Sequence, residues 1–245
     1  MALLTCHVDS EALNVAATIT VVVPQEVESP PVLYLLHGLT DDHTGWLRNT
    51  SIERYADEAG LAVVMPAVHH SFYTDEVHGH AYWTYVSEEL PALVHRLFRV
   101  SDQPEDTFAA GLSMGGYGAV KLALSHPDRY AAAASLSGTL DITYMADRED
   151  RAAIWDRAFG GEIRTENDLF ALLAAASSVP PLYIGCGTSD GLLDANERFI
   201  AAATGAGVDL TTDLRAGDHE WSLWDAQIAE VIAWLPRDRR PARCP

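Results

Sequence analysis

Strand-length runs of aliphatic and β-branched residues recur along most of the chain, separated by longer segments in which apolar residues have helical spacing. The runs predict strands over residues 14–23, 32–36, 61–65, 107–110, 131–136, 182–185 and 208–214. The longer segments predict helices over residues 50–58, 87–99, 116–125, 193–203 and 222–235. Because parallel strands need crossover connections, this alternation indicates a mostly parallel sheet with helices on both faces.

Residues 141–179 interrupt the alternation, because they carry no strand signal. We expect them to form short helices inserted over the carboxyl-terminal edge of the sheet. The 245 residues are 48% hydrophobic, which is enough to bury one large core, and no linker or repeat divides them. The sequence therefore predicts a single domain over residues 1–245 with this insertion. The first predicted helix opens at a capping-box pattern, Thr50-Ser51-Ile52-Glu53.

The chain is strongly acidic, with a formal net charge of −19. Repulsion between like charges argues against nucleic acid or an anionic membrane as a partner. A surplus of solvated carboxylates explains this charge more simply than a preference for cationic substrates does.

Cysteine usage and the N-terminus bear on location. Cys6, Cys186 and Cys244 lack the C-x-x-C spacing of a zinc or redox site, and their odd number is typical of a reducing compartment. Residues 1–9 lack the basic region and long apolar stretch of a signal peptide, and no run reaches transmembrane length. We therefore expect a soluble, cytoplasmic protein.

The pentapeptide Gly111-Leu112-Ser113-Met114-Gly115 is a G-x-S-x-G pattern between a predicted strand and a predicted helix. In that context the serine occupies a sharp, strained turn, and the flanking glycines leave room for neighbouring backbone. The Met114 N–H then lies at a helix N-terminus, where the helix dipole favours developing negative charge. The pattern predicts Ser113 as a nucleophile and the Met114 N–H as an oxyanion donor.

A mostly parallel sheet with such an elbow is the α/β-hydrolase architecture, in which the triad follows the chain order serine, acid, histidine. Two histidines, His126 and His219, follow the serine. His126 ends the helix after the elbow, where the dipole favours it, whereas His219 stands in a loop before the last predicted helix. This order predicts His219 as the general base.

The acid of the triad should hold the imidazole from a loop that follows a strand. Asp190 has that position, after the predicted strand over residues 182–185. Asp194 falls where the next helix should already have begun. Asp218, the direct neighbour of His219, would have difficulty turning its carboxylate onto the imidazole. We expect Asp190 to be the acid.

A second oxyanion donor should come from the loop after the strand over residues 32–36. That loop begins with His37-Gly38-Leu39, so the Leu39 N–H is the candidate donor. His37 precedes the serine in the chain, and we therefore expect it to be a buried hydrogen-bonding residue that shapes the loop.

Several motifs occur in one order along the chain. They are Leu36-His37-Gly38-Leu39, Gly45-Trp46, Phe72-Tyr73-Thr74-Asp75, Glu88-Glu89-Leu90-Pro91, the segment from Gly111 to Gly118, and Gly217-Asp218-His219-Glu220-Trp221. Together they resemble the esterase D family of α/β-hydrolases, and most closely its tributyrin-esterase branch. The resemblance spans about residues 32–235.

This resemblance implies a serine carboxylesterase that hydrolyses short-chain acyl esters through an acyl-enzyme, without a metal or other cofactor. Ser113, Asp190 and His219 match the family triad, and Leu39 and Met114 match its oxyanion donors. Some relatives are homo-oligomers, which makes a homo-oligomer an expectation for this chain.

The resemblance also places the loop over residues 69–83 near the mouth of the active site. Tyr73 and Trp83, together with Trp46 and Gly38, are then candidates for contact with substrate, although core packing would explain the rings nearly as well. The loop contains four histidines, His69, His70, His78 and His80. They lack the spacing of known zinc ligand sets, so we expect no metal site there.

Two other functions are compatible with the same residues. An acyltransferase or a thioesterase, such as the S-formylglutathione hydrolases of the family, would share the first half-reaction. A catalytically silent member would serve as a binding protein, but suitable residues occupy all the predicted catalytic positions. The sequence favours a small ester as the ligand.

Overall fold

A computed structural model describes residues 1–146 and 148–236, so Cys244 lies outside the described residues. Within these ranges one sheet contains eight strands. They are β1 (Ala2–Ser10), β2 (Val15–Val23), β3 (Val32–Leu36), β4 (Ala62–Pro66), β5 (Thr107–Leu112), β6 (Ala132–Leu136), β7 (Leu182–Gly187) and β8 (Leu210–Arg215). Their spatial order is β1-β2-β4-β3-β5-β6-β7-β8.

Strand β2 runs antiparallel to both of its neighbours, β1 and β4, and every other neighbouring pair is parallel. The carboxyl ends of β3, β5, β6, β7 and β8 therefore meet at one edge of the sheet. This topology confirms the predicted α/β-hydrolase fold.

Helices cover both faces of the sheet. They are α1 (Gly45–Asn49), α2 (Ile52–Ala59), α3 (Tyr82–Thr84), α4 (Leu90–Leu97), α5 (Met114–Ser125), α6 (Ala152–Phe159), α7 (Leu169–Ala175), α8 (Leu193–Gly205) and α9 (Trp221–Trp234). A π-helical segment, Tyr85–Glu89, joins α3 to α4. No helix among the described residues is long and apolar enough to span a bilayer.

The sheet separates two hydrophobic cores. In β3, Tyr34 and Leu36 belong to the core shared with α4, α5 and α8, whereas Leu33 and Leu35 belong to the core shared with α2 and α9. Because both faces of β3 are covered, all five of its residues are buried. This double burial explains why the central strands are continuous apolar runs.

The predicted strands agree with the observed ones to within two residues at each end. Two of them run two residues further than predicted, through glycines that are poor strand formers: Gly111 pairs with Leu36, and Gly187 pairs with Arg215. Strand β1 was not predicted. It lies at the edge of the sheet with most of its residues partly or fully exposed, so it lacks the apolar signal of the buried strands.

The capping box at the start of α2 is not formed, although the helix begins where predicted. The Thr50 hydroxyl donates to Trp46 O at 2.5 Å. The Ser51 N–H donates instead to Asp225 Oδ1 of α9, at 2.9 Å. The Ile52 N–H donates to Thr50 Oγ1 at 3.2 Å, so a local bond and the tertiary contact with α9 together satisfy the helix end.

The insertion consists of short helical pieces, as expected. They are the 3₁₀ segments Ile142–Met145, Glu149–Arg151 and Thr165–Asn167, and the helices α6 and α7. The prediction of one domain over the whole chain stays a prediction, supported by the single sheet that unites the eight strands.

A buried lysine ties this insertion to α5. Lys121 Nζ donates to Asn167 Oδ1 at 2.7 Å and to Tyr73 O at 3.1 Å, and it lies 4.2 Å from the centre of the Trp83 ring. Burial lowers the pKa of Lys121 to about 7. Because a buried ammonium needs partners, these contacts hold the insertion and the loop around Tyr73 against α5.

Helix α5 packs so closely on Tyr73 that an added methyl group should destabilise the protein. A Cβ on Gly118 would lie 2.6 Å from the buried Tyr73 ring, whereas a Cβ on Gly205 would meet nothing within 4 Å. We expect Gly118→Ala to lower the free energy of unfolding by about 1–3 kcal/mol through overpacking. Gly205→Ala, the control, should leave it unchanged or raise it by up to about 1 kcal/mol. Urea denaturation measures both, and equal stability of the two variants would contradict the close contact.

Candidate active site

Ser113 lies between β5 and α5, in the sharp turn that the glycine pattern predicts. Its φ of 54° and ψ of −118° are rarely adopted by residues other than glycine. The Ser113 N–H donates to Leu136 O at 2.9 Å, and its carbonyl accepts from the Thr139 N–H at 3.0 Å. Backbone contacts with β6 and the loop after it therefore hold the strained turn.

The two glycines of the pattern are needed because backbone passes directly beside them. A Cβ on Gly115 would lie 2.3 Å from Leu36 O, and a Cβ on Gly111 would lie 2.4 Å from the Gly115 carbonyl. Leu36 also pairs with Gly111 in the parallel ladder, so it cannot move away without breaking the pairing of β3 with β5. Any side chain at either glycine would push α5 off the end of β3.

Asp190 and His219 come together from the loops after β7 and β8. His219 Nδ1 lies 2.9 Å from Asp190 Oδ2, and the Leu192 N–H donates to Asp190 Oδ1 at 2.8 Å. Burial alone would raise the pKa of Asp190, but the hydrogen bonds from His219 and Leu192 hold it below its ordinary value. Asp190 is therefore an ionised acceptor, and His219 presents Nδ1–H to it.

The rival residues occupy other positions. Asp218 Oδ1 accepts from the backbone N–H of His219 at 2.7 Å, so it caps the loop instead of facing the imidazole. Asp194 is exposed in the first turn of α8. His126 ends α5 and stacks on the Trp83 ring, with ring centres 5.7 Å apart.

Two residues that the sequence analysis did not single out, Ser137 and Trp224, contact Asp190 and His219. The Ser137 hydroxyl donates to Asp190, and it accepts from Trp224 Nε1 at 3.0 Å. The Trp224 ring in turn meets the His219 ring edge to face, with centres 4.8 Å apart. Ser137 also has a positive φ of 48°. Its position directly after β6 was the available signal, since polar residues at strand ends share one edge of a parallel sheet.

The loop after β3 is shaped by a buried neutral histidine. The Val68 N–H donates to His37 Nε2 at 3.0 Å, so Nδ1 carries the proton and donates to Gly38 O at 2.7 Å. Burial lowers the pKa of His37 to about 4. The Tyr73 hydroxyl donates to His37 O at 3.0 Å. His37 therefore holds the loop that carries Leu39, as expected, and both of its ring nitrogens are used within this region.

A cavity of about 490 Å³ opens at the carboxyl edge of the sheet. Six of the residues predicted for the site line it together: Gly38, Leu39, Ser113, Met114, Asp190 and His219. The volume lies within the range of small-molecule pockets. The structure thus brings the predicted nucleophile, base, acid and oxyanion donors to one cavity.

Three aromatic rings predicted for the pocket wall do not line this cavity. Trp46 is buried, donates from Nε1 to Leu36 O at 3.1 Å, and packs against Trp221. Tyr73 is buried beneath α5 and bonds to His37. Trp83 is the half-buried ring that covers Lys121. These rings serve packing and hydrogen bonding, so the expectation of substrate contact is corrected for them, while Gly38 does line the cavity.

The histidines of the loop before α3 do not converge. His69 and His80 each meet the Tyr82 ring, with centres 6.2 Å and 6.0 Å apart. Across residues 1–146 and 148–236, no group of three or more histidine, cysteine, aspartate or glutamate side chains is placed to hold a metal ion.

Cys186 lies near the end of β7, before the loop that contains Asp190. It is fully buried, and burial raises the pKa of its thiol to about 12.

Known proteins are similar to this chain in both sequence and fold. The esterase family model, described as "Putative esterase", matches residues 10–235. The chain belongs to this esterase family. An acetyl esterase of Caldicellulosiruptor saccharolyticus is 29% identical over 225 residues, which cover 86% of this chain and 85% of that protein.

Two solved structures from Staphylococcus aureus are similar to the esterase over nearly its whole length. The fluorophosphonate-binding serine hydrolase FphF, solved with substrate bound, is 35% identical, with a TM-score of 0.91 over 97% of this chain and 99% of that one. The S-formylglutathione hydrolase FrmB is also 35% identical, with a TM-score of 0.88 over 96% and 98% of the two chains. The esterase is accordingly a serine hydrolase of the α/β-hydrolase fold.

Removing the Ser137 hydroxyl should weaken catalysis through Asp190. We expect Ser137→Ala to lower kcat/KM for a short-chain ester about 10-fold, because a hydrogen bond to a charged group contributes about 1.5 kcal/mol. Ser135→Ala is the matched control, since Ser135 lies two residues earlier and its buried hydroxyl has no hydrogen-bond partner among the described residues. Steady-state kinetics compare the two, and equal activities would rule out this role of Ser137.

Protonation of His37 should destabilise the fold at acid pH. The folded-state pKa of about 4 lies below the ordinary value near 6.5, so between these values the unfolded chain binds more protons and unfolding is favoured as the pH falls. A shift of this size corresponds to about 3 kcal/mol of stability lost between pH 7 and pH 4. NMR titration should show a neutral His37 ring at pH 5. A ring already protonated at that pH would contradict the structure.

Proposed function

We propose that this serine esterase hydrolyses short-chain acyl esters through an acyl-enzyme formed on Ser113. The observation that carries the proposal is the single cavity onto which Ser113 and His219 both open, with His219 Nδ1 already bonded to Asp190. Since Nδ1 donates to Asp190, Nε2 of His219 is the nitrogen left free to accept a proton. His219 is therefore the general base, and Asp190 orients it.

In the acylation step, His219 Nε2 takes the proton of the Ser113 hydroxyl as the oxygen attacks the ester carbonyl carbon. The tetrahedral intermediate then collapses, the bond to the alcohol oxygen breaks, and His219 returns the proton to the leaving alcohol. A water molecule repeats the sequence on the acyl-enzyme and releases the acid. The ionised Asp190 stabilises the imidazolium that forms in both steps.

We propose that the N–H groups of Met114 and Leu39 hold the oxyanion. Met114 is the first residue of α5, where backbone N–H groups lack helical partners and the dipole is positive. Leu39 lines the same cavity from the loop that His37 shapes. Loss of one such donor typically lowers kcat on the order of 10²–10³-fold, so the loop contributes substantially to the rate.

The cavity size supports a small ester as substrate, and the motifs support a branch within the family. A cavity of about 490 Å³ suits small esters, and Leu39, Phe72 and Leu112 give it apolar surface for a short acyl chain. The motifs from the loop after β3 to the segment before α9 support placement in the esterase D family and its tributyrin-esterase branch. A cytoplasmic location and homo-oligomer formation also remain proposals.

A thioester is the second candidate substrate, because FrmB, at 35% identity, is described as an S-formylglutathione hydrolase. An acyl-enzyme on Ser113 would serve a thioester, or transfer to an alcohol acceptor, equally well. Product analysis with an oxygen ester, a matched thioester and an added alcohol separates these activities. Free acid as the main product with the alcohol present supports hydrolysis.

Replacing the nucleophile should abolish turnover. We expect Ser113→Ala to lose both the burst of 4-nitrophenolate from 4-nitrophenyl butyrate and labelling by a fluorophosphonate probe. Ser222→Ala, which changes an exposed serine at the start of α9, is the matched control and should keep both signals. Full turnover by Ser113→Ala would refute the proposal. Absence of labelling in the unaltered protein would point to a catalytically silent member.

A further inference from the structure

The insertion brings two arginines to the cavity of an otherwise acidic protein. Arg148 and Arg151 both line the cavity that contains Ser113 and His219. Among the described lining residues they are the permanent cations. With a net charge of −19 on the chain, two guanidinium groups at one cavity are contrary to the general surface charge. From this juxtaposition we infer that the esterase prefers substrates that carry a carboxylate group, which Arg148 and Arg151 bind.

The two arginines already share one carboxylate of the chain. Arg148 Nε and Nη2 donate to the two oxygens of Asp150 at 2.9 Å and 2.7 Å, and Arg151 Nε lies 3.5 Å from Asp150 Oδ2. The two guanidinium groups thus have one carboxylate partner between them in these contacts. Paired guanidinium groups around a carboxylate are the geometry with which proteins bind such groups, so a substrate carboxylate can compete with Asp150 or bind beside it.

The two carboxylates among the described lining residues, Asp41 and Asp190, have partners other than this pair. Asp190 is bonded to His219. Asp41 Oδ1 lies 4.0 Å from Arg48 Nη2, so this carboxylate has a cation of its own. The side chains of Arg148 and Arg151 are 46% and 32% exposed, so a ligand can reach them from solvent.

The insertion that carries the arginines is anchored below them. Asp141 Oδ2 accepts from Arg198 Nη2 of α8 at 2.8 Å, just before the 3₁₀ segment that leads to Arg148. Tyr144 of that segment also lines the cavity. The arginine pair therefore belongs to a segment with a defined attachment to the fold. Its place in the cavity wall, outside the triad, suits recognition of substrate.

The inference rests on the proposed esterase function, and matched substrates test it. The carboxylate can lie on the alcohol side or on the acyl side of the ester. The first arm compares 4-acetoxybenzoate with its methyl ester, following release of the phenol. The second arm compares mono(4-nitrophenyl) adipate with its methyl ester, following release of 4-nitrophenolate. The measured quantity is the ratio of kcat/KM for the anionic substrate to kcat/KM for the neutral one.

We expect a ratio above one in at least one arm. The double variant Arg148→Gln/Arg151→Gln should lower that ratio about 10-fold, as expected for loss of charge-assisted hydrogen bonds at a partly exposed site. Asp150→Asn should raise the ratio, because it removes the carboxylate that competes with the substrate. A merely structural role of the cluster would not move the ratio in opposite directions. Higher salt should reduce the preference.

Arg54→Gln and Asp9→Asn are the matched controls, since they remove the same charges at an exposed position of α2 and of β1. Both should leave the ratio unchanged. A ratio of one or less in both arms, or a ratio that the double arginine variant does not alter, would overturn the inference. Hydrolysis of the neutral esters that depends on Ser113 would in that case leave the proposed function intact. Loss of that hydrolysis altogether would instead count against the function itself.

Discussion

The contact between the start of α5 and the end of β3 is the constraint on which the site depends. Leu36 O lies where a Cβ of residue 115 would be, so α5 can approach β3 because that residue is glycine. The approach sets the Met114 N–H beside the loop that carries Leu39, and it forces Ser113 into its positive φ. The backbone strain at the serine is thus a consequence of how two strands and one helix meet.

Buried polar groups hold the layers around this contact in place. His37 is neutral and uses both ring nitrogens within the loop after β3, while Lys121 joins α5 to the insertion through Asn167. Tyr73 connects the two groups, since its hydroxyl bonds to His37 and its carbonyl to Lys121. Apolar contacts are non-directional and would not by themselves fix the position of the loops on the sheet, whereas these hydrogen bonds specify one arrangement.

Local sequence patterns and chain order were enough to predict the parallel strands, the elbow and the residues of the candidate site. The parallel strands are recognisable because double burial demands unbroken apolar runs, and the elbow is recognisable because its glycines are sterically required. Chain order then singled out His219 and Asp190, which the structure brings to within 2.9 Å of each other. Their catalytic roles, and that of Ser113, remain the proposal made above.

Other features depend on contacts between distant segments, which local patterns do not encode. Strand β1 pairs along one side and is largely exposed, so its composition resembles a loop. Trp46 and Tyr73 look like pocket aromatics in the sequence, but backbone carbonyls at the end of β3 accept their hydrogen bonds. Ser137 bonds to Trp224, 87 residues further along the chain, and Arg148 reaches the cavity from the insertion. Their positions follow from the tertiary fold.

The common edge at which the parallel strands end has a consequence for how such an enzyme diversifies. Loops after β3, β5, β6, β7 and β8 carry Leu39, Ser113, Ser137, Asp190 and His219, and each follows a strand of the one sheet. The insertion over residues 141–179 adds to the cavity wall without supplying any of these groups. Substitutions in that segment can therefore reshape the cavity wall while the five residues at the strand ends keep their positions, because different parts of the chain supply them.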